Sequence, residues 1–373
     1  MKMESEAAVA EFVSGASGPL QVQGGGTRGV SGSGEVLSVA GLSGITLYEP
    51  GALTMVAQAG TPVAEVEAAL SKENQRLAFE PMDHRGLIGG KGVPTIGGVF
   101  AANVSGPRRL AVGAARDFLL GVRFVDGRGA VVKNGGRVMK NVTGYDLVKL
   151  MAGSFGTLGV LTEVSFKVLP KPETQGTLVV QGLSDHAAVA AMCQAMGSPF
   201  EVTGAAHDPA TALTALRVEG FEQSVSYRIG QLEKLLAGAG AGMQVMEADA
   251  SGAFWGQQRD LTAFEGAGGD VWRVSCKPTD APQLVAKAGA QAVLYDWAGG
   301  LIWLCMAPGT DARARLGNFD GHATIIRADD ATKARFGMFQ PESAGIARLT
   351  TGLRAQFDPR GLFNADLMTA VAR

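Results

Sequence analysis

The chain is short of charge. Charged residues make up 18% of its 373 positions, against about 25% in an average soluble domain. The 33 basic and 35 acidic residues nearly cancel, leaving a formal net charge of −2, so there is no global basic field to attract nucleic acid. Aromatic residues are also few, at 6%, and do not interleave with basic ones. We therefore expect no nucleic-acid partner, and the low charge favours a surface partly covered by another protein.

Cysteine is scarce as well. Cys193, Cys276 and Cys305 are scattered and form no Cys-x-x-Cys pair, so they support neither a disulfide framework nor an iron–sulfur site. The four histidines are too far apart in sequence for the usual metal-site spacing, and we expect no metal. The first residues lack the pattern of a signal peptide, and the longest apolar stretch, residues 292–308, is interrupted by Asp296. These absences predict a reduced, cytoplasmic protein without a membrane span.

Glycine, in contrast, is abundant: 53 of the 373 residues is about twice the usual share. Most Gly-Gly pairs fall in a first zone, residues 1–172, which ends at a Pro-Lys-Pro breaker. A middle zone, residues 173–340, alternates strand and helix patterns, and residues 341–373 read as a helix followed by an irregular tail. We expect two domains and a C-terminal segment with these boundaries.

The first zone predicts an α+β fold, because it mixes many short apolar strands with few helices. An Asp-Gly pair at residues 126–127 predicts a hairpin, and Thr61 followed by Pro62 predicts a helix start capped by the threonine. The middle zone predicts two β-α-β-β-α units, around residues 177–236 and 271–316, that share one antiparallel sheet. Two unrelated α+β segments are the alternative interpretation of that zone.

The first glycine-rich loop, GGGTRG at residues 24–29, satisfies the dinucleotide pattern G-x-G-x-x-G. That fingerprint must open a helix, whereas the sequence VSGSGE that follows cannot form a stable one. Consecutive glycines can instead point several backbone amides at one anion, and Arg28 adds a positive charge beside them. An ordinary flexible turn is the alternative for this loop taken alone.

Two further glycine loops favour ligand binding over an ordinary flexible turn. Gly97 and Gly98 are predicted to start a short helix at residues 99–103 and to present bare amides to an anion, with Thr95 and Ser105 as additional hydrogen-bonding groups. A third loop at residues 152–160 again places glycines before a strand. Three such loops favour an extended ligand held by main chain, and a flavin dinucleotide is such a ligand.

The motifs GGGTR, PTIGGVFAANVSG and KNVTGYDLVKLMAGSFGTLGVLTEVSFKVLP, in this order, together with the ending FDPRGLFNADL, resemble the vanillyl-alcohol oxidase / p-cresol methylhydroxylase superfamily. KNVTGYDL and YDWAGGLIWL are similar to the FAD-binding E subunits of bacterial glycolate oxidase. The resemblance implies a PCMH-type FAD-binding domain of two α+β subdomains (1–172), an α+β cap with an antiparallel sheet (173–340), and a terminal segment (341–373) that returns to the FAD domain.

The resemblance also implies which residues hold the cofactor. They are Gly24, Gly25, Gly26, Thr27, Arg28, Thr95, Gly97, Gly98, Ser105, Gly106, Gly156, Gly159 and Val160. Members with a covalent flavin place a histidine or cysteine beside the first or second loop, and neither loop contains one here. Noncovalent FAD is therefore expected.

By the same resemblance, the chain would take part in oxidising glycolate to glyoxylate. Its partners would be a larger FAD-binding subunit and an iron–sulfur subunit, and any contact with the inner face of the cell membrane would be made through that complex. The substrate would be a small 2-hydroxy acid.

Two departures favour an alternative, a structural FAD-binding subunit. Phe155 replaces the glutamate of a Ser-Glu-Gly-Thr motif, and the segment ending at His322 lacks the second histidine of the relatives' metal motif.

The sequence offers several candidates for chemistry. His84 lies just before the second loop, and a surface histidine is its alternative. Arg108 and Arg109 are suited to pairing with a carboxylate substrate, or else serve a subunit interface or solvent. Lys140 and Tyr145 lie in the KNVTGYD segment, where a positive group would stabilise a reduced flavin ring, and where core packing of the tyrosine is the alternative.

Overall fold

The computed structural model describes residues 1–30, 32–137 and 144–368. Two large hydrophobic cores organise them, one drawn mainly from residues 3–168 and the other from residues 178–325. Helices accompany sheets that are largely antiparallel, which confirms the predicted α+β class. Within the described ranges, no helix combines the length and the apolar character that a membrane crossing requires.

The helices before residue 171 are α1 (Glu6–Gly15), α2 (Val63–Lys72), α3 (Arg85–Ile88), α4 (Ile96–Ala101), α5 (Arg109–Val112), α6 (Ala115–Phe118) and α7 (Leu147–Met151). The strands there are β1 (Leu20–Gln23), β2 (Glu35–Ser38), β3 (Ile45–Glu49), β4 (Thr54–Gln58), β5 (Gln75–Arg76), β6 (Leu119–Val125), β7 (Val131–Gly135), β8 (Val160–Lys167) and β9 (Leu169–Pro170). Strands β1 and β2 form a small parallel pair, and a five-stranded antiparallel sheet has the order β3-β4-β8-β6-β7.

Local sequence explains several of these elements. Ser5 begins α1 by accepting a hydrogen bond from the Ala8 amide, and Val9 and Val13, one turn apart, are buried. The predicted hairpin is present between β6 and β7, where an Asp126 carboxylate oxygen accepts the amides of Arg128 and Ala130, each at 2.9 Å. The side chain of an aspartate thus replaces backbone partners in the turn.

Two predicted helix starts are wrong in detail. The Thr61 hydroxyl donates to the Gln58 carbonyl at 2.7 Å, so it fastens the preceding turn and does not cap α2, which begins at Val63. Helix α4 begins three residues earlier than expected, because the Thr95 side chain caps it by accepting the Gly98 amide. Both differences arise from hydroxyl side chains that bond locally to the backbone.

The second core contains strands β10 (Thr174–Gln181), β11 (Gly204–Asp208), β12 (Leu213–Gly220), β13 (Gly242–Met246), β14 (Asp270–Cys276), β15 (Ala292–Asp296), β16 (Leu301–Met306) and β17 (Gly321–Arg327). Its helices are α8 (Asp185–Met196), α9 (Glu222–Leu235), α10 (Ala248–Asp260), α11 (Ala281–Ala288), α12 (Ala312–Leu316) and α13 (Asp330–Phe336). We call this part of the chain the cap.

The cap sheet has the order β13-β10-β12-β11-β15-β16-β14-β17. Each half is a β-α-β-β-α-β unit whose strands run in the spatial order fourth, first, third, second, and the two second strands meet at the pair His207 and Tyr295. The predicted repeat is therefore present, and each unit carries one more strand than expected. Helices α8, α9, α11 and α12 cover one face of the sheet with the second core. On the opposite face, α10 packs through Trp255 against Ala206 and Ala215, and the part formed by β14, β16 and β17 lines a cavity.

The last described part of the chain packs into the first core beside β1. Helix α14 (Ala344–Phe357) is followed by an irregular segment in which Phe363 is fully buried in the first core. The backbone of this segment bonds to β1, since the Leu20 amide donates to Leu362 at 2.7 Å and the Asn364 amide donates back to Leu20 at 3.0 Å. The segment thereby fixes the strand from which the first glycine loop leaves.

Candidate active site

The three glycine loops meet in one cavity. The residues that line it come from the loop after β1, from α4 and from the loop before β8. They are Val22, Gln23, Gly24, Gly25, Gly26, Thr27, Arg28, Val30, Val39, Ala59, Gly97, Gly98, Ala101, Ala102, Ser154, Phe155, Gly156, Gly159 and Leu161. Nine of the thirteen predicted cofactor residues thus share a single trough, although they are spread over more than 130 positions of sequence.

The first loop has the features of an anion nest. The amides of residues 25–28 donate no hydrogen bond to any other described residue, and Gly26 has a positive φ of 66°. The Nε atom of Arg28 is buried and has no partner among the described residues. Burial lowers the pKa of Arg28 to about 10. Unpaired donors around a buried cation fit a diphosphate, which carries negative charge and many acceptors.

The second loop uses its glycines for packing. The Gly97 amide donates to the Ala59 carbonyl at 2.8 Å and the Gly98 amide to the Thr95 hydroxyl at 3.3 Å, so the expectation of bare amides here is wrong. A Cβ on Gly97 would lie 2.5 Å from the Ala59 Cβ. The glycine therefore lets α4 approach β4 closely, and this approach sets the floor of the trough.

The third loop is held by the C-terminal segment. Asn364, buried and with a positive φ of 42°, donates from Nδ2 to the Phe155 carbonyl at 2.8 Å. Its Oδ1 accepts the Val22 amide at 2.9 Å. One side chain thus joins the strand before the first loop to the third loop, and the FNADL motif is the sequence signal for it. Gly156 has a φ of 70°, and a Cβ added to it would lie 3.2 Å from the Asn364 Nδ2.

A second cavity, of about 790 Å³, opens between the first core and the cap. It shares Arg28, Ala102 and Phe155 with the first cavity, so the two cavities adjoin at these residues. Its cap wall is the face of the sheet opposite the second core. There, every second residue on three neighbouring strands points into the cavity. These are Leu301 and Trp303 on β16, Arg273 and Ser275 on β14, and His322, Thr324 and Ile326 on β17. Ser105 and Gly106 line it from the other side.

Two arginines, Arg109 and Arg273, face this cavity and form no ion pair with a carboxylate among the described residues; we call them the arginine pair. The charges of Asp117 and Asp296 act on Arg109 and Arg273, respectively, at longer range than an ion pair. Both guanidinium groups lie over the Trp297 ring, at 4.6 Å and 5.0 Å from its centroid. Neither has a hydrogen-bond or ion-pair partner among the described residues. Burial, and then the neighbouring Arg109, lower the pKa of Arg273 to about 10. Burial and the same two cations lower the pKa of His322, so the wall is cationic and rich in N–H donors.

Asp296 is the buried acid of this cavity. Burial raises its pKa to about 7, and its Oδ1 accepts the Trp297 amide at 2.7 Å. It sits at a strained turn between β15 and β16, where Trp297 and Ala298 both have positive φ, 52° and 54°. The Trp297 Nε1 donates to the Gly106 carbonyl at 3.0 Å, which ties this turn to the second loop. A carboxyl that titrates near neutrality can accept and release a proton at working pH.

His84, the first of the predicted catalytic candidates, is buried and lines the second cavity beside Arg28. Burial, and then Arg28, lower the pKa of its imidazole to about 3. The neutral ring donates from Nδ1 to the Met82 carbonyl at 3.2 Å, which leaves Nε2 as an acceptor. His84 is therefore a neutral hydrogen-bonding group in the cavity and carries no charge near pH 7.

Arg108 and Tyr145 do not line either cavity. The Arg108 Nε donates to Glu219 at 2.7 Å and its Nη2 lies 2.9 Å from Glu80, so its charge is used inside the protein. Tyr145 is 87% exposed. Lys140 lies outside the described residues.

Two of the predicted cofactor residues support the walls of the trough and do not line it. Thr95 is buried as the cap of α4, and Val160 is fully buried at the start of β8. The Ser105 hydroxyl accepts the Ala115 amide at 2.9 Å, so it also positions α6. These residues shape the trough through backbone and neighbours.

The candidate functional residues of the cap wall were not identified from the sequence. Arg273 is a lone cation in the strand pattern VWRVSC, and Asp296 interrupts a long apolar run. An ionisable side chain inside an apolar strand is rarely buried without a purpose. That signal was present, but only the sheet register places Arg273 beside His322 and aims both at the first domain.

The comparisons with known proteins agree with this geometry. Residues 1–135 match the family model described as an FAD binding domain. The fold superimposes on 4-ethylphenol oxidase from Gulosibacter chungangensis with a TM-score of 0.70 at 12% identity, over 99% of this chain and 89% of that one. The fold and the trough therefore define a flavoprotein oxidoreductase with a PCMH-type FAD-binding domain.

Sequence identity narrows the class further. The chain is 38% identical over 357 residues to glycolate oxidase subunit GlcE of Escherichia coli (strain K12), which covers 94% of this chain and 93% of that relative. A stretch of 87 residues is 45% identical to glycolate oxidase subunit GlcD of Bacillus subtilis (strain 168), covering 23% of this chain and 18% of that relative. The chain belongs to the family of FAD-binding E subunits of glycolate oxidase, as its motifs implied.

Proposed function

We propose that the chain is the FAD-binding subunit of a glycolate oxidase complex, that it takes part in oxidising glycolate to glyoxylate, and that its flavin passes the electrons to a partner subunit. The observation that carries the proposal is that the glycine trough and the cap cavity adjoin, with Arg28 in the lining of both. A dinucleotide in the trough would present its ring to the cavity that holds Asp296 and the arginine pair.

The residues present fit noncovalent FAD. Free amides at residues 25–28 and the orphaned Nε of Arg28 suit the diphosphate. Gly98 lines the trough beside Arg28, where an added Cβ would lie 2.6 Å from the Arg28 Nη1, so the glycine leaves room for the guanidinium. No histidine or cysteine occurs in the first or second loop to form a flavin link.

When bound, FAD supplies a two-electron acceptor. The chain's own residues would do the rest of the work. Asp296 would take the hydroxyl proton, since its buried carboxyl faces the cavity with its pKa near 7. His84 would offer a neutral hydrogen bond beside Arg28.

A complex with a larger FAD-binding subunit and an iron–sulfur subunit would carry the electrons onward, and it would hold the chain in the cytoplasm or at the inner face of the cell membrane. The relatives' names, both subunits of glycolate oxidase, support such an assembly. Ile346, Leu349 and Leu353 lie exposed on one side of α14, which supports a contact with the larger subunit there. Leu349→Glu should abolish co-purification with that subunit, whereas Ala355→Glu, on the far side of α14, should not.

The proposal is tested by rapid-mixing spectroscopy on the chain alone and on the assembled complex. We expect the flavin absorbance near 450 nm to bleach when glycolate is added to the complex, and to recover when an electron acceptor is supplied. A flavin of this chain that stays oxidised in the turning-over complex would contradict the proposal and favour the structural role instead.

A further inference from the structure

We propose that the arginine pair, Arg109 and Arg273, is the anchor for the carboxylate of a short 2-hydroxy acid in the second cavity. The inference rests on the proposed function, because it names the part of the substrate that this chain would recognise. The two side chains come from different layers of the molecule, Arg109 from α5 in the first core and Arg273 from β14 in the cap. A ligand between them would therefore be held by both walls of the cavity.

The way the two guanidinium groups are supported leaves their donors free. Each lies over the face of Trp297, within 5.0 Å of the ring centroid. A cation–π contact uses the flat face of a guanidinium and leaves the N–H edge available. Trp297 is itself fixed by its hydrogen bond to Gly106. The pair is thus positioned before any ligand arrives.

The arginine pair differs from the paired arginines buried near it and is similar to Arg28, whose Nε also lacks a partner among the described residues. Arg108 and Arg217, which are buried nearby, both pair with Glu80, and Arg108 also pairs with Glu219. The arginine pair forms no such ion pair among the described residues, Asp296 acts on Arg273 only at longer range, and the charge of Arg109 lowers the pKa of Arg273. An anion placed between them removes the repulsion and satisfies the donors.

The walls select a short carboxylate. A guanidinium fork matches the two oxygens of a carboxylate in one plane. Leu301 and Trp303 supply an apolar wall beside the pair, which suits a short carbon skeleton. Asp296 lies on the same turn as Trp297, so a carboxylate held by the pair brings the neighbouring hydroxyl toward the buried acid.

The test is isothermal titration of the full chain, with and without FAD, using three probes. Glycolate should bind, and ethylene glycol, which lacks the carboxylate, should not. Arg109→Gln and Arg273→Gln should each weaken glycolate binding about tenfold or more, whereas Arg273→Lys, which keeps the charge, should weaken it less. Arg315→Gln removes the same charge from an exposed site on α12, across the sheet, and should leave binding unchanged.

The possible results separate this inference from the proposed function. Glutamine variants that keep their FAD and their melting temperature but bind glycolate within twofold of the parent chain would overturn the anchor. Tighter binding of inorganic phosphate than of glycolate would overturn its assignment to carboxylates. A chain that never takes up FAD would instead refute the proposed function, and glycolate binding to that FAD-free chain would still support the anchor.

Discussion

The guanidinium of Arg28 lies between the two cavities, with its Nε buried and unbonded. A buried cation without a partner destabilises the protein that contains it. Such a residue is retained where a ligand supplies the missing charge. A buried cation without a partner therefore indicates a binding function. The same logic applies to the arginine pair, whereas Arg108 is a counterexample: its charge is satisfied internally and its role is structural.

Arg28→Met should therefore act in opposite directions on the two forms of the protein. We expect the FAD-free chain to gain about 1–3 kcal/mol in unfolding free energy, because an unsatisfied buried group is removed, and the FAD affinity to fall about tenfold or more. Denaturant unfolding and titration with FAD measure the two effects. Arg315→Met, at an exposed position, should change neither. A loss of stability in the FAD-free Arg28→Met chain would contradict this account.

Asp296 makes a pH-dependent prediction. Burial raises its pKa from an ordinary 3.8 to about 7 in the folded state, where Glu80, Arg217 and Arg273 are the neighbouring charges. Between those values the folded chain keeps a proton that the unfolded chain has lost, so stability from this group falls as the pH rises through this range. Asp296→Asn should raise the melting temperature at pH 8 and change it less at pH 4.

Exposed Asp320→Asn is the matched control for that comparison and should show no such difference between the two pH values. An Asp296→Asn chain whose melting temperature rises as much at pH 4 as at pH 8 would contradict the raised pKa of this carboxyl.

At the scale of elements, α4 is the piece whose position defines the trough. Gly97→Ala should cost about 1–3 kcal/mol in unfolding free energy, because its Cβ would meet the Ala59 side chain at 2.5 Å, and it should weaken FAD binding by moving the floor. Gly90→Ala has open space around its new Cβ and is the control, expected within about 0.5 kcal/mol of the parent. Equal behaviour of the two variants in chemical denaturation would argue against close packing as the reason for Gly97.

The elements also show which inferences the sequence supports. Apolar strands with clear boundaries, such as β4 and β6, were predictable, because periodicity and turn residues act locally. The bounds of strand β11 could not be predicted, because Gly204-Ala-Ala has little strand propensity. Tertiary packing explains it: a Cβ on Gly204 would lie 2.9 Å from the Trp255 ring, so the glycine makes room for α10.

The site divides in the same way. The three glycine loops were recognisable from composition and motif, and the structure brings nine of their residues together. Arg109 was a candidate for binding a carboxylate, but its meeting with Arg273 could not be predicted, because the two residues lie more than 160 positions apart and meet only through the docking of the cap on the first core. Asn364 likewise acts on Val22 and Phe155 through hydrogen bonds that no local pattern predicts.

At the scale of the whole molecule, a buried ion-pair network joins the two cores. Arg76 and Arg108 from the first core, and Arg217 from the cap, surround Glu219 and Glu80. Burial alone would raise the pKa of Glu219, but Arg217, Arg108 and Arg76 hold it well below its ordinary value. The stabilisation from this carboxylate is therefore complete above about pH 4.5 and is lost as the pH falls further.

Glu219→Gln should cost about 3–5 kcal/mol at pH 7, because it leaves buried arginines without their counter-charge. The difference from the parent chain should shrink as the pH is lowered below 4.5. Urea unfolding across this pH range is the measurement. Glu201→Gln is the control, since Glu201 pairs with Arg228 from a side chain that is 82% exposed, and its loss should cost no more than about 1 kcal/mol. A cost for Glu219→Gln no larger than the control's would mean that the network does not hold the cap in place.

The same docking closes the space in which cofactor and substrate would meet, so cofactor content is the most direct test of the central claim. The chain is purified, its visible spectrum is recorded, and the protein is precipitated with acid before the supernatant is assayed for flavin. The account predicts a yellow protein that releases about one FAD per chain into the supernatant. A colourless chain that takes up no added FAD, or a flavin that remains in the precipitate, would contradict it.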